Sequence, residues 1–190
     1  MANTPDKNSF SQHAGIMGVL TTAIPADQIK NVMQKVLSDT SLSQATFYYR
    51  FYLTLALKKA GMGEMYYEQL APWRDMIKNG LTTFAENPDP TRSDCHAWSA
   101  SPNYDFFATI CGVMPDGPGF SSVLVQPSLG ALTQIQASMP HPLGTISVAI
   151  KKKATQGVSG EIILPATVKG RFIWQGKEIA LVPGKNLVDL

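Results

Sequence analysis

The chain changes its hydrophobic period once, near Gly112, and that change restricts it to a helical part followed by a β-rich part. Before Gly112, apolar residues recur every three or four positions, which lines them along one face of an α-helix. After it come short runs of β-branched and apolar residues, separated by turn formers at regular intervals. Between the two textures lies Val113-Met114-Pro115-Asp116-Gly117-Pro118-Gly119, a linker by composition.

The helical part predicts four or five helices. A short one opens at Ser11, a suitable N-cap, and ends near Thr21. Residues 28–38 place Ile29, Val32, Met33, Val36 and Leu37 on one face until Asp39, Thr40 and Ser41 stop the helix. Residues 43–59 carry Phe47, Tyr48, Phe51, Tyr52, Leu55 and Ala56 and are apolar over most of the circumference, as a buried inner helix is. Residues 62–78 are expected to form one helix with Met65, Tyr66, Leu70, Trp73 and Ile77 on a common face. Residues 86–94 hold two prolines and several turn formers and are excluded from helix and strand. A last helix is expected over residues 95–110, broken or kinked at residues 99–102. The sequence of helix, short turn, helix predicts stacked hairpins, an arc and not a closed bundle, hence a fragment.

Beyond residue 119, strands are expected at residues 122–126, 133–139, 145–151, 161–164, 171–174, 178–181 and 186–188. Gln175-Gly176 and Pro183-Gly184 supply turns. Such spacing suggests a small antiparallel β-sandwich. The domains are therefore drawn at 1–112 and 113–190.

Charge excludes some partners. A net charge of +2 over 190 residues is too small to point to nucleic acid or a membrane surface. Lys151-Lys152-Lys153 ends a strand-like alternation and is expected to be a solvated strand end. The first nine residues lack the apolar core of a signal peptide, and no window is apolar enough to span a bilayer. The compartment stays open. Cys95 and Cys111 on one helix would lie about 24 Å apart, too far to bridge, so two buried free thiols are expected.

Residues with catalytic potential crowd between Thr82 and Tyr104. Glu86 and Asp94 flank the proline loop, with Arg92, His96 and Trp98 beside them. Hydrolysis of a glycosidic bond needs two carboxyl groups, hydroxyl-reading donors and an aromatic face for the ring, and this set offers those types. The competing reading is a polar loop capping the last helix, with Asp94 as N-cap, Arg92 in a surface ion pair and Trp98 in the core. Nucleophilic catalysis by Cys95 is poorly supported, because His96 is its neighbour in sequence and their side chains diverge on a helix. His13, His96 and His141 lack metal-ligand spacing. Glu86, Asn87, Asp89 and Asp94 lack the alternating order of a calcium loop. No metal and no cofactor are expected.

The stretch Gly80-Leu81-Thr82-Thr83-Phe84-Ala85-Glu86, followed by Arg92-Ser93-Asp94-Cys95-His96-Ala97-Trp98-Ser99-Ala100-Ser101-Pro102, resembles the bacterial α-L-rhamnosidase family of glycoside hydrolases. The resemblance continues through Gly112-Val113-Met114-Pro115, Pro127-Ser128-Leu129-Gly130, Met139-Pro140-His141-Pro142-Leu143-Gly144 and Pro183-Gly184-Lys185-Asn186. It implies a partial (α/α)6 barrel followed by a C-terminal β-sandwich, and an inverting enzyme that releases terminal α-linked L-rhamnose. It carries the general base onto Glu86, a sugar-pocket histidine onto His96 and a pocket wall onto Trp98. Arg92 and Asp94 are expected to bind substrate. One common version of the family has an aromatic residue immediately before the glutamate, where this chain has Ala85, a departure that bears on sugar preference. The general acid of the family lies upstream of any residue here, so the isolated chain is expected to be inactive. An inner helix without its neighbours is expected to leave an apolar face open to self-association. Two alternatives remain: a non-catalytic carbohydrate-binding or scaffold protein anchored by Trp174, or another six-hairpin glycosidase.

Overall fold

The computed structural model describes residues 2–4, 7–88, 90–154 and 157–190. The chain divides into two compact units, Met1–Pro102 and Asn103–Leu190. The seam expected at Gly112 therefore falls inside the second unit. From α1 onward helices precede strands, as the change of period predicts, but two short strands stand ahead of the first helix.

The first unit opens with a small antiparallel pair, β1 (Ala2–Thr4) and β2 (Lys7–Phe10), which the polar N-terminal composition did not reveal. Helix α1 (Gln12–Leu20) begins after Ser11, whose backbone is extended as an N-cap requires. The Ser11 hydroxyl does not cap the helix; it donates to Asn3 Oδ1 at 2.5 Å. Helix α2 (Ile29–Ser38) buries Ile29, Met33 and Val36, and ends where Asp39 Oδ1 accepts from the backbone N–H and hydroxyl of Ser41. Helix α3 (Phe47–Lys59) buries Phe47, Leu53, Thr54, Ala56 and Leu57. These three helices enclose a core of Ile16, Val19, Ile24, Met33, Val36, Leu53 and Leu57. Each such side chain, fully buried, contributes about 1.5–3 kcal/mol.

The single helix expected over residues 62–78 is broken. A 3-10 turn, Gly63–Met65, leads into α4 (Tyr66–Gln69), and α5 (Ala71–Lys78) follows after Leu70. Pro72 is the cause: it has no N–H to give Glu68, and its ring collides with the carbonyl four residues back, so the helix restarts with proline in its first turn. The break turns the buried face. Tyr66, Leu70, Trp73 and Met76 are buried, whereas Met65 and Ile77 are exposed. Arg74 ties the two pieces, its guanidinium lying 4.4 Å above the Tyr67 ring and donating to the Tyr67 carbonyl at 3.1 Å.

The helix expected over residues 95–110 is also reduced. Residues Ala97–Ser99 form a 3-10 turn, α6 spans Ser101–Asp105, and Phe106–Ile110 continue as a wider π-type turn. Cys95 precedes all of these and is exposed, so the expectation of two buried thiols on one helix fails for it. Cys111 is buried, and desolvation pushes its thiol up to about 11.

The second unit holds two four-stranded sheets. One has the order β3-β4-β8-β9, from Val113–Pro115, Ser122–Val125, Lys169–Trp174 and Lys177–Leu181. The other has the order β10-β7-β6-β5, from Gly184–Asp189, Val158–Leu164, Gly144–Lys152 and Gln134–His141. Strand β3 lies within the segment expected to be only a linker. All pairs are antiparallel except β4 with β8, which is parallel, so the wholly antiparallel expectation is corrected for the first sheet. Alternate residues are buried: Val123 and Val125, Phe172 and Trp174, Ile146, Val148 and Ile150, Ile162 and Leu164. The turn Gln175-Gly176 joins β8 to β9, both residues having positive φ (48° and 82°). His141 is buried. The Leu143 N–H donates to its Nδ1 at 3.1 Å, so Nε2–H donates to the Phe120 carbonyl at 2.9 Å. The lysine run ends β6, with Lys152 bonded to the Gly130 carbonyl and Lys153 paired with Asp189.

Among the described residues, no helix is long and apolar enough to cross a membrane, and no group of three or more His, Cys, Asp or Glu is gathered to hold a metal ion.

Candidate functional site

Residues 84–96 fold back on themselves. The Glu86 N–H donates to the Ser93 carbonyl at 2.8 Å, and the His96 N–H donates to the Phe84 carbonyl at 2.7 Å. The Thr83 hydroxyl bonds the Asp94 carbonyl, and Thr91 Oγ1 donates to the Ser93 carbonyl at 3.0 Å. Pro88 and Pro90 restrict φ between these strands of loop. The result is a loop with no regular secondary structure but with its ends fastened, which places Glu86 and His96 on adjacent segments. Asp89 lies outside the described residues.

Glu86 is held by Arg92. Arg92 Nε donates to Oε2 at 2.9 Å, and Nη2 bonds Oε1. This fork engages one side of the carboxylate, and an ionised carboxylate has about four lone-pair sites. The glutamate side chain is 11% exposed and the arginine 79%, so the pair stands at the surface with the carboxylate inward. Such a pair contributes about 0–1 kcal/mol to stability; its consequence is orientation. Ala85, immediately before it, is buried.

His96 is half-buried and its ring meets Trp98 at a centroid distance of 4.5 Å, tilted by 45°. Trp98 sits on the 3-10 turn Ala97–Ser99, which is fastened from below where Trp73 Nε1–H donates to the Ser99 carbonyl at 2.7 Å. The Trp98 indole is 53% exposed, which removes the reading of this residue as core. Asp94 is exposed and does not cap that turn, whose N-cap is His96. The loop thus joins Glu86 to Arg92 by direct bonds, ties the His96 backbone to Phe84, adds Trp98 by ring contact with His96, and leaves Asp94 exposed.

A group that the sequence did not disclose adjoins this one. Tyr48 on α3 lies 5.2 Å from Trp98, and it packs edge-on against Tyr52 at 5.9 Å and Tyr49 at 6.5 Å. Tyr49 continues to His13 at 4.0 Å. Burial lowers the His13 imidazole, and burial followed by the nearby Tyr48 raises the Tyr49 phenol. A hydrogen bond with Tyr48 is the main cause that raises Tyr52. The i, i+4 spacing of Tyr48 and Tyr52 is the only signal in the sequence, and it is shared with any apolar helix face. Elsewhere, Trp174 is 7% exposed, so it lacks the open face that a binding anchor needs.

Residues 112–185 match the family model described as the bacterial alpha-L-rhamnosidase C-terminal domain. An alpha-L-rhamnosidase of Alteromonas sp. (strain LOR) is 25% identical over 189 residues, an alignment covering 88% of this chain and 20% of that protein. The chain thus spans about a fifth of the length of that curated relative. Among solved structures, an α-L-rhamnosidase from Aspergillus terreus shares the fold with a TM-score of 0.83 at 16% identity, over 95% of this chain and 24% of its own. A GH78 family rhamnosidase of Bacillus sp. GL1 gives 0.76 at 22% identity, over 88% and 19%.

Proposed function

From its resemblance to the C-terminal portion of the bacterial α-L-rhamnosidases, we propose that this chain supplies the general-base half of an inverting glycoside hydrolase acting on terminal α-L-rhamnose. Residues 1–112 are then the closing part of an (α/α)6 catalytic barrel, and residues 113–190 a supporting β-sandwich. The observation that carries the reading is the Glu86 carboxylate, fixed by Arg92 on a loop whose other limb bears His96 and the exposed Trp98.

Glu86 accepts a proton from a water molecule at the lone pairs that Arg92 leaves open, and that water attacks the anomeric carbon. The leaving oxygen is protonated on the opposite side of the ring by a second carboxyl group. The two groups of an inverting pair stand about 6.5–9.5 Å apart, which leaves room for the water. The general acid comes from outside these 190 residues. His96 donates to or accepts from a sugar hydroxyl. Trp98 covers the apolar C–H face of the ring, and Asp94 accepts from hydroxyls at the rim. Arg92 holds the base and offers its remaining donors to the sugar.

The test is made in an enzyme that joins these residues to the general-acid half. Glu86→Gln is expected to lower the turnover of an α-L-rhamnoside by about 10²–10⁴-fold, the contribution typical of a general base. Proton NMR of the first product is expected to show the β anomer. Unchanged turnover in the variant, or an α anomer formed first, would overturn the assignment.

A further inference from the structure

We propose that Tyr48 and Trp98 form an aromatic corner that seats a saccharide ring beside the Glu86–His96 loop, with Tyr48 as a specificity-determining wall. The proposal rests on the reading of that loop as a glycosidase site. In this unit Phe47, Tyr66 and Trp73 are buried and Tyr49, Phe51, Tyr52, Tyr67 and Phe84 half-buried, while Phe10 is exposed on the strand before α1. Tyr48 and Trp98 are the exceptions in the site's neighbourhood, at 44% and 53%, and they are in contact with each other.

Their geometry restricts the occupant. The ring planes are inclined by 49° at a centroid distance of 5.2 Å, so their outer surfaces meet at an angle and do not form a flat stack. A puckered pyranose, with C–H groups on one face and an edge of hydroxyls, can set its face on one wall and its edge against the other. The corner is also preorganised. Tyr48 is fixed by edge-on contacts to Tyr49 and Tyr52 on the same helix, and Trp98 by His96 and by the Trp73 bond beneath its turn. Rings held in place before binding lose little freedom when a ligand arrives. The Tyr48 hydroxyl, bonded with Tyr52, keeps further hydrogen-bonding capacity for a sugar hydroxyl.

The flanks favour a sugar over a protein side chain as occupant. His96 touches Trp98, and the ion-paired Glu86 and Arg92 stand on the same loop, whereas the centre of a protein interface is depleted of charged groups. Aromatic walls with an imidazole in contact and a charged pair on the adjoining loop suit a ligand with apolar faces and many hydroxyls.

The chain itself permits the test. Of its three tryptophans, Trp98 is open to solvent while Trp73 and Trp174 are each 7% exposed, so acrylamide quenching of the fluorescence reports on Trp98. Methyl α-L-rhamnoside is expected to protect Trp98 from acrylamide, and NMR is expected to show Overhauser contacts from the Tyr48 ring to sugar C–H protons. Tyr48→Ala is expected to weaken binding about tenfold, while Tyr48→Phe, which keeps the ring, stays within about threefold of the parent. Binding that is lost in His96→Ala but unchanged in Tyr48→Ala would overturn the corner and leave the glycosidase reading standing. Equal binding of methyl α-D-glucoside, still dependent on Tyr48, would keep the corner and remove rhamnose as its ligand. Failure of every saccharide to protect Trp98, or protection that grows with protein concentration alone, would overturn the corner, the second because another copy of the chain then occupies it.

Discussion

Gln12 shows what a single polar side chain does inside the helical unit. It is buried; its Nε2 donates to the Val36 carbonyl at 2.8 Å, and its Oε1 accepts from the Ala45 N–H at 2.8 Å. One amide therefore satisfies the last turn of α2 and the segment leading into α3. Gln12→Ala strands both backbone groups away from water and is expected to cost about 2–4 kcal/mol in urea unfolding, against a fraction of that for an exposed glutamine. A loss below about 0.5 kcal/mol would show that water replaces the amide. In the second unit, Arg171 donates to both oxygens of Asp116, at 2.8 and 2.9 Å, and reaches Glu178 at 3.2 Å. The hydrogen bond from Arg171 is the main cause holding the Asp116 carboxyl below the usual carboxylate range. A group with a depressed folded value adds stability above its unfolded value and loses it as pH falls through the folded one. Arg171→Gln is thus expected to lower the urea midpoint at pH 7, and the gap to the parent is expected to close as pH drops below about 4. A gap independent of pH would assign the effect to packing of the arginine stem.

At the scale of elements, two glycines separate conformation from space. Gly176 has φ 82° in the β8–β9 turn, and a Cβ there would meet nothing within 4 Å. Gly112 has φ 70°, and its Cβ would lie 2.0 Å from the Gln126 carbonyl carbon and oxygen. Gly176→Ala is expected to cost about 1–2 kcal/mol, the left-handed penalty alone. Gly112→Ala adds a backbone collision and is expected to exceed it by about 2 kcal/mol or more, or to prevent folding of the second unit. Thermal unfolding of the pair decides; equal losses would mean that the β3–β4 connection yields. The same contrast between local and distant causes governs what could be read from sequence. Helices α2 and α3 and strands β4 to β10 were legible because their period or their turn residues are local signals. The break at Leu70 was legible in principle from Pro72, but the apolar spacing runs through it. Strand β3 is hidden in Pro/Gly composition and exists only because β4 pairs with it, and the parallel β4–β8 pairing depends on a partner more than forty residues away. In the site, Glu86, His96 and Trp98 stand in a recognisable run. Tyr48 does not, since a tyrosine facing Trp98 and a tyrosine facing the core have the same spacing on α3.

For the whole molecule, the decisive quantity is how many reacting groups one chain brings to a bond. Inverting hydrolysis needs proton removal from water on one face of the sugar and proton delivery to the leaving oxygen on the other, and a single carboxyl group cannot reach both across about 6.5–9.5 Å. Arg92 holds the Glu86 carboxylate through a two-pronged bond. On the proposed reading Glu86 supplies the base alone, the leaving group departs unprotonated, and the 190 residues by themselves are expected to bind a rhamnoside without turning it over. Away from the Tyr48–Trp98 corner the chain exposes Met65 and Ile77 on its helical unit, apolar surface of the kind that partner structure covers. Concentration-dependent association is therefore expected in sedimentation velocity, weakened when an Ile77→Lys substitution removes part of that surface and unchanged by a saccharide. Inactivity and association are separable outcomes. A monomer that remains inactive would still fit the proposed acid from outside these residues, whereas measurable hydrolysis of an aryl α-L-rhamnoside by this chain, abolished by Glu86→Gln, would mean that a second carboxyl group within these 190 residues serves as the acid.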